Sequence, residues 1–169
     1  MKLRHLFFAC SGVFVMMFSL LLLVGSVFSD EEDGGSGGNL IYGGVSVSQE
    51  VLAHKPMLEK YAREYGIEEY LNVLLAIIQV ESGGTLEDVM QSSESLGLPP
   101  NSLSTEESIK QGCKYFSELL AAAEAKGCDL NSVVQSYNYG GGFLDYVAGR
   151  GKSYTFALAE SFARDKSGG

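Results

Sequence analysis

Tryptophan is missing from the 169 residues, histidine occurs twice and cysteine three times. Without tryptophan, any aromatic face offered to a ligand falls to the nine tyrosines and nine phenylalanines. His5 and His54 both lie upstream of any plausible nucleophile, so a cysteine nucleophile with a later histidine base is not available. So few soft ligands also disfavour a zinc site, and no metal or cofactor is expected. Positive charge is scarce as well, with 12 Lys and Arg against 21 Asp and Glu, a formal net charge of -9. Because Lys2 and Arg4 supply two of the positive charges, everything beyond them is more negative still. A field of that sign repels nucleic acid and anionic lipid, so a phosphate-binding role is disfavoured. Also absent are runs of alternating apolar and polar residues separated by tight turns, and any internal repeat of useful length. The expected fold is therefore all-α, and the length suits one domain of ordinary size.

One long apolar run is present. "LFFACSGVFVMMFSLLLLVGSVF", residues 6 to 28, carries no charge and follows Lys2, Arg4 and His5. At 1.5 Å per helical residue it can cross a hydrocarbon core of ~30 Å. It is longer than the apolar region of an ordinary cleaved signal and lacks a clear A-x-A site. Residues 1–29 are thus read as a transmembrane anchor or a signal segment, either of which exports the rest of the chain and leaves the basic N-terminus in the cytoplasm. The next stretch, "DEEDGGSGGNLIYGG", is acidic and then rich in glycine, so residues 30–47 read as a flexible tether. The domain proper is expected over 48–169. Cys113 and Cys128 stand at the two ends of one helical stretch, ~20 Å apart, beyond the reach of a disulfide.

Within the domain, "SQEVLAHKPMLEKYAREYG" offers Ser48 as a cap, Pro56 as a kink or a second start, and Gly66 as a stop. From Glu68 to Val80 nearly every position is apolar, which reads as a helix buried on all sides or as a buried strand. An irregular loop follows, then "STEESIKQGCKYFSELLAAAEAKG", opened by a Ser104/Glu107 capping box and carrying Ile109, Cys113, Phe116, Leu120 and Ala123 on one face. Shorter helices are expected over residues 130–137, in "FLDYVAGR", and in "SYTFALAESFARDK" with Ser153 as its cap.

The apolar run ends in "QVESGG", which places the carboxyl of Glu81 at the negative end of a helix dipole and beside apolar neighbours. Both effects raise its pKa. A Glu that keeps its proton near neutral pH can donate it to a leaving oxygen, as in glycoside cleavage. Gly83 or Gly84 would end the helix in a left-handed conformation.

The series "ESGG", "VMQSSES" and "QSYNYGGG" resembles the lysozyme-like superfamily that includes soluble lytic transglycosylases, and more closely the muramidase domain of CwlT-type bifunctional cell-wall hydrolases. The likeness covers residues 51 to 165, with Ser136 standing where Ala is usual. It implies a lysozyme-like helical domain that cuts the β-1,4 bond between N-acetylmuramic acid and N-acetylglucosamine in peptidoglycan, with Glu81 as the catalytic acid. Ser82, Gln91, Ser92, Glu94, Tyr137, Asn138 and Tyr139 would then line the substrate site. Gln91 would offer its amide to a sugar, Asn138 would orient substrate, Tyr137 would pack beneath the site, and Tyr139 and Tyr146 would provide aromatic surface. Glu94 is the first choice for a second carboxyl, ahead of Glu87, Asp88 and Asp145. The implied partners are peptidoglycan strands, the cytoplasmic membrane through the N-terminal segment, and conjugation or secretion machinery. Two alternatives stay open: a lytic transglycosylase that leaves anhydro-sugars, and a non-catalytic glycan-binding scaffold. The endopeptidase half of the CwlT-type proteins needs a Cys with a His base, and the resemblance stops short of it.

Overall fold

The computed structural model describes residues 40–42 and 45–167. The expectations for the 1–29 segment and for the acidic start of the tether lie outside the described residues. Among the described residues no helix is long and apolar enough to cross a membrane.

The domain is helical, as its residue patterns indicate, with one small addition. Leu40–Tyr42 (β1) and Val45–Val47 (β2) pair antiparallel, Leu40 opposite Val47 and Tyr42 opposite Val45. The all-α expectation allows no strand in this glycine-rich stretch. The short "VSV" alternation supplies the reason for one, since Val47 is fully buried while Ser46 is exposed.

Ser48 then caps α1 (Gln49–Ala53), its hydroxyl accepting from the Val51 amide. His54 is the joint to α2 (Lys55–Glu64), which begins with Pro56 in its first turn, where a missing N–H costs nothing. Pro56 therefore starts a second helix. Gly66, at φ +68°, turns the chain into a single 3-10 turn, Glu68–Tyr70, which leads into α3 (Leu71–Glu81). The run that also suited a strand is this helix, and its length and burial explain why. Six consecutive residues, Val73 to Ile78, are buried, so α3 is the axial element around which the others pack.

The Ser104/Glu107 capping box forms and opens α4 (Thr105–Lys126), which Gly127 closes at φ +71°. Its buried face runs through Ile109, Cys113, Phe116, Leu119 and Ala123. Leu119, rather than the expected Leu120, turns inward, and Leu120 packs half-buried at the edge. Asp129 caps α5 (Leu130–Tyr139) by accepting from Ser132, and its carboxylate also accepts from the Tyr154 amide at 2.9 Å. Two short helices finish the domain, α6 (Gly142–Ala148) and α7 (Phe156–Ser167). The cap of α7 is Thr155, whose hydroxyl accepts from Leu158, and not Ser153. The helix starts two residues later than a Ser153 cap would place it, so Ser153 lies too far upstream to reach an amide of the first turn.

Two apolar clusters hold these elements. The larger joins β2 and α1 to α5 around α3, and a smaller one packs Phe143, Val147, Ala159 and Phe162 with Tyr139, Tyr146 and Tyr154.

Candidate active site

Glu81 is the last residue of α3 and sits only half-buried after the fully buried run that precedes it. The chain must leave the helix there without moving that side chain, and the next three residues show how. Gly83 and Gly84 take φ +61° and +78°, a left-handed pair that L side chains rarely adopt. A Cβ on Gly84 would stand 2.7 Å from the Glu50 carbonyl carbon and the Val51 nitrogen, so the turn lies directly on the start of α1. Ser82 locks the inner side: its hydroxyl donates to Val89 O at 2.7 Å and accepts from the Gly84 amide at 3.0 Å. From the outer side, Ser48 donates through its amide to Gln79 Oε1 at 2.7 Å and through its hydroxyl to Gly83 O at 3.3 Å. His54 Nε2 lies 2.9 Å from Gly84 O. A carbonyl only accepts, so this nitrogen carries the ring proton. The turn after Glu81 is thus clamped from both sides.

The loop opposite is built on a buried carboxylate. Asp88 has no exposed surface and accepts from the Ser92 amide at 3.0 Å, the Ser93 amide at 3.2 Å and the Ser108 hydroxyl at 2.6 Å. These bonds nucleate a short 3-10 turn, Ser92–Leu96, whose N-cap is Gln91 at φ +46°. A non-glycine residue in that conformation is uncommon. Both amide hydrogens of Gln91 are engaged, with Asp88 O and with Asn101 Oδ1, each at 2.8 Å. Gly112 lets α4 approach this loop, because a Cβ there would fall 2.5 Å from Met90 Sδ and 2.8 Å from the Tyr137 hydroxyl.

Between the end of α3, this loop, α4 and the end of α5 lies a cleft of about 140 Å³, lined by Glu81, Gln91, Ser92, Glu94 and Asn138, with Ser95, Tyr115, Tyr137 and Gly140 completing the wall. Burial pushes the Glu81 carboxyl up to about 7, and the negative charges of Glu94 and Asp88 add to the rise. Desolvation and like charge both disfavour the ionised form, so Glu81 holds its proton close to neutral pH. The amide nitrogen of Asn138 is shielded from water and has no hydrogen-bond partner among the described residues. Such an orphaned donor is rare in native structures and marks a place for a ligand or a water.

Of the residues singled out from sequence, Glu81, Gln91, Ser92, Glu94, Tyr137 and Asn138 come together on the cleft. Ser82 and Tyr139 are not on its wall. Ser82 is spent on the turn, and Tyr139 stacks on Phe162 at 5.5 Å within the second cluster, where Tyr146 also packs. Gln91 keeps only Oε1 for a ligand, so the expected donation from its amide nitrogen is withdrawn. Tyr137 lies underneath, its hydroxyl donating to Met90 O at 3.1 Å. Ser136, in place of the usual Ala, returns its hydroxyl to Ser132 O at 2.6 Å and leaves the helix undisturbed. Among the other acidic candidates, Glu87 is exposed off the cleft, Asp88 is consumed by the loop, and Asp145 pairs with Lys126 at 3.0 Å. Sequence reasoning missed Ser95, Tyr115 and Gly140. Tyr115 carried a signal, since it sits three residues beyond Gly112 on the same helix and next to the buried face. Among the described residues no group of three His, Cys, Asp or Glu side chains is placed to hold a metal ion.

The family described as lysozyme-like matches residues 48–169. A Bacillus subtilis protein named bifunctional muramidase/DL-endopeptidase CwlT is 40% identical over 159 residues, 91% of this chain and 47% of that protein. A second B. subtilis protein, named uncharacterized membrane protein YocA, is 36% identical over 71% of this chain and 54% of its own length. A Staphylococcus aureus crystal structure, described as similar to a lipoprotein of the NLP/P60 family, superimposes with a TM-score of 0.74 at 73% identity, over 75% of this chain and 43% of that one. The chain spans about half the length of the curated relatives it matches. Fold, motif order and likeness over most of the chain agree, and the chain belongs to the lysozyme-like family.

Proposed function

We propose that this chain is a peptidoglycan hydrolase of the muramidase type, cleaving the β-1,4 bond between N-acetylmuramic acid and N-acetylglucosamine with Glu81 as general acid. The observation that carries the reading is the placement of Glu81: a carboxyl held up to about 7 by burial, opening onto a cleft. At neutral pH such a group has a proton to give and a carboxylate stable enough to take one back. The O–H of Glu81 donates to the glycosidic oxygen as the C1–O bond breaks, and positive charge develops on the sugar ring. Glu94, exposed across the same cleft, stabilises that charge and activates the water that completes hydrolysis. Ser92, Gln91 Oε1 and Asn138 orient the saccharide, and Tyr137 supports them from below. The name of the B. subtilis relative, which includes a muramidase, supports the substrate. The N-terminal apolar run would hold the domain outside the cytoplasmic membrane, where wall remodelling or a local opening for conjugative transfer takes place.

Zymography on purified wall, comparing the parent with Glu81→Gln, tests the reading. Clearing by the parent and not by the variant is expected; equal clearing by both, or none by the parent, overturns it. Mass spectrometry of the released muropeptides should show reducing ends. Anhydro ends would assign the acetamido-assisted transglycosylase route instead. That second reading draws support from Glu81 being the sole half-buried carboxyl on the cleft among the described residues, with Glu94 exposed.

A further inference from the structure

The hydrogen-bond donors on the cleft wall are almost all committed within the protein. Gln91 has given both amide hydrogens, Ser92 donates to Ser108 O at 2.9 Å, Ser95 to Ser92 O at 2.6 Å, and Tyr137 to Met90 O. Two side chains on the α4 and α5 side differ. Asn138 Nδ2 is shielded and unpartnered among the described residues. The Tyr115 hydroxyl has only a 3.5 Å approach to Ser136 O, well beyond the 2.5–3.0 Å of an ordinary O–H···O bond. The ring is held in place by its 5.5 Å tilted packing on Tyr137, the neighbour of Asn138.

Two uncommitted neutral donors on one wall call for an acceptor. A carboxylate is disfavoured, because Glu81 and Glu94 share the cleft and no Lys or Arg among the described residues lines it. A neutral carbonyl oxygen meets no such penalty. We propose that Tyr115 is a specificity-determining residue whose hydroxyl, on the same cleft wall as Asn138, donates to the acetamido carbonyl of an N-acetylhexosamine ring. The inference rests on the muramidase reading and deepens it, by making the N-acetyl group, rather than the sugar ring alone, the feature that this wall reads. Without the acetamido group Asn138 Nδ2 stays buried and unpaired and the half-buried Tyr115 hydroxyl keeps only its long approach to Ser136 O, and a site built on hydrogen bonds discriminates against a ligand that lacks the partner.

The test uses the full chain carrying Glu81→Gln, with and without Tyr115→Phe. Two neutral β-1,4-linked probes, the tetramer of N-acetylglucosamine and the tetramer of glucose, are titrated by calorimetry. The Glu81→Gln chain should prefer the acetylated tetramer. Tyr115→Phe, which keeps the ring and its packing on Tyr137, should weaken that tetramer about tenfold and leave binding of the glucose tetramer unchanged, so that the preference narrows. Equal weakening of both probes would assign Tyr115 to packing, and unchanged binding of both would remove it from the site; either result overturns the inference, as does failure of the acetylated tetramer to bind. Wall clearing by the parent is scored separately. Clearing with no Tyr115 effect sinks this inference alone, and absence of clearing sinks the muramidase reading on its own ground.

Discussion

Glu81 shows how one residue can serve a site at the expense of the fold. Unfolded, its carboxyl titrates near 4.5; folded, near 7. Between these values unfolding releases a proton, so stability falls as pH rises from about 4.5 to about 7 and is level above that. At ~1.4 kcal/mol per pH unit the penalty is up to about 3 kcal/mol, and partial exposure brings it to roughly 1–2 kcal/mol. Glu81→Gln removes the ionisable group while keeping the shape. The variant should therefore be more stable than the parent by roughly 1–2 kcal/mol at pH 8 and no more stable at pH 4, as read from calorimetric melting at the two pH values. An equal change at both would mean that the carboxyl is not held protonated by its surroundings. The same titration fixes the activity profile under the proposed mechanism: the rate of wall cleavage should decline above pH 7 as the acid loses its proton.

The elements around that residue were legible where local chemistry decided them. The Ser104/Glu107 box, the Gly66 stop and the second start at Pro56, one of the two readings open there, involve neighbours in sequence, and each stands where the residue pattern allowed it. The burial of α3 was readable too, since a segment with almost no polar face has nowhere else to go. What escaped was set by contacts distant in sequence. Leu119 rather than Leu120 faces the core because α5 and α6 pack on that side of α4. Tyr139 belongs to an aromatic cluster assembled by α7, which nothing in "YNYGGG" announces. The clamp on the "ESGG" turn joins residues about 30 apart, and the glycines alone could not reveal it. Gly84→Ala tests that clamp. The new methyl meets backbone atoms at 2.7 Å in a left-handed conformation, so neither a rotamer change nor a side-chain shift relieves it. A loss of about 2–4 kcal/mol in stability is expected. Cleavage should fall further than the unfolded fraction explains, because the turn that aims Glu81 has moved. Gly83→Ala is the internal control, with an equally unfavourable φ but only Gln79 Nε2 at 3.9 Å, and should cost less.

For the whole molecule, the fold class and most of the candidate cleft could be read from three short motifs in order, whereas the donor inventory of the cleft could not. Whether an amide or phenol is free depends on every neighbour it meets: the Gln91 amide hydrogens are spent on its own loop, and Tyr115, which the motifs do not single out, lines the cleft. Net charge is the one global property that composition states outright, and it carries a consequence for the proposed substrate. A chain of formal charge -9 acting on an anionic wall is repelled over the distance that the surrounding ions allow. Raising salt from about 10 mM to about 150 mM shortens that distance from ~30 Å to ~8 Å. Hydrogen bonds from the neutral side chains of the cleft are short-range and little screened, so they survive the change. Binding of the Glu81→Gln chain to insoluble wall, measured by co-sedimentation, should therefore increase across this range. A basic hydrolase drawn to the wall by charge would release under the same conditions. Release of this chain would locate its wall contact on exposed cations such as Arg150 and Lys152 before α7 and Arg164 and Lys166 within it, and would remove the cleft as the main source of affinity.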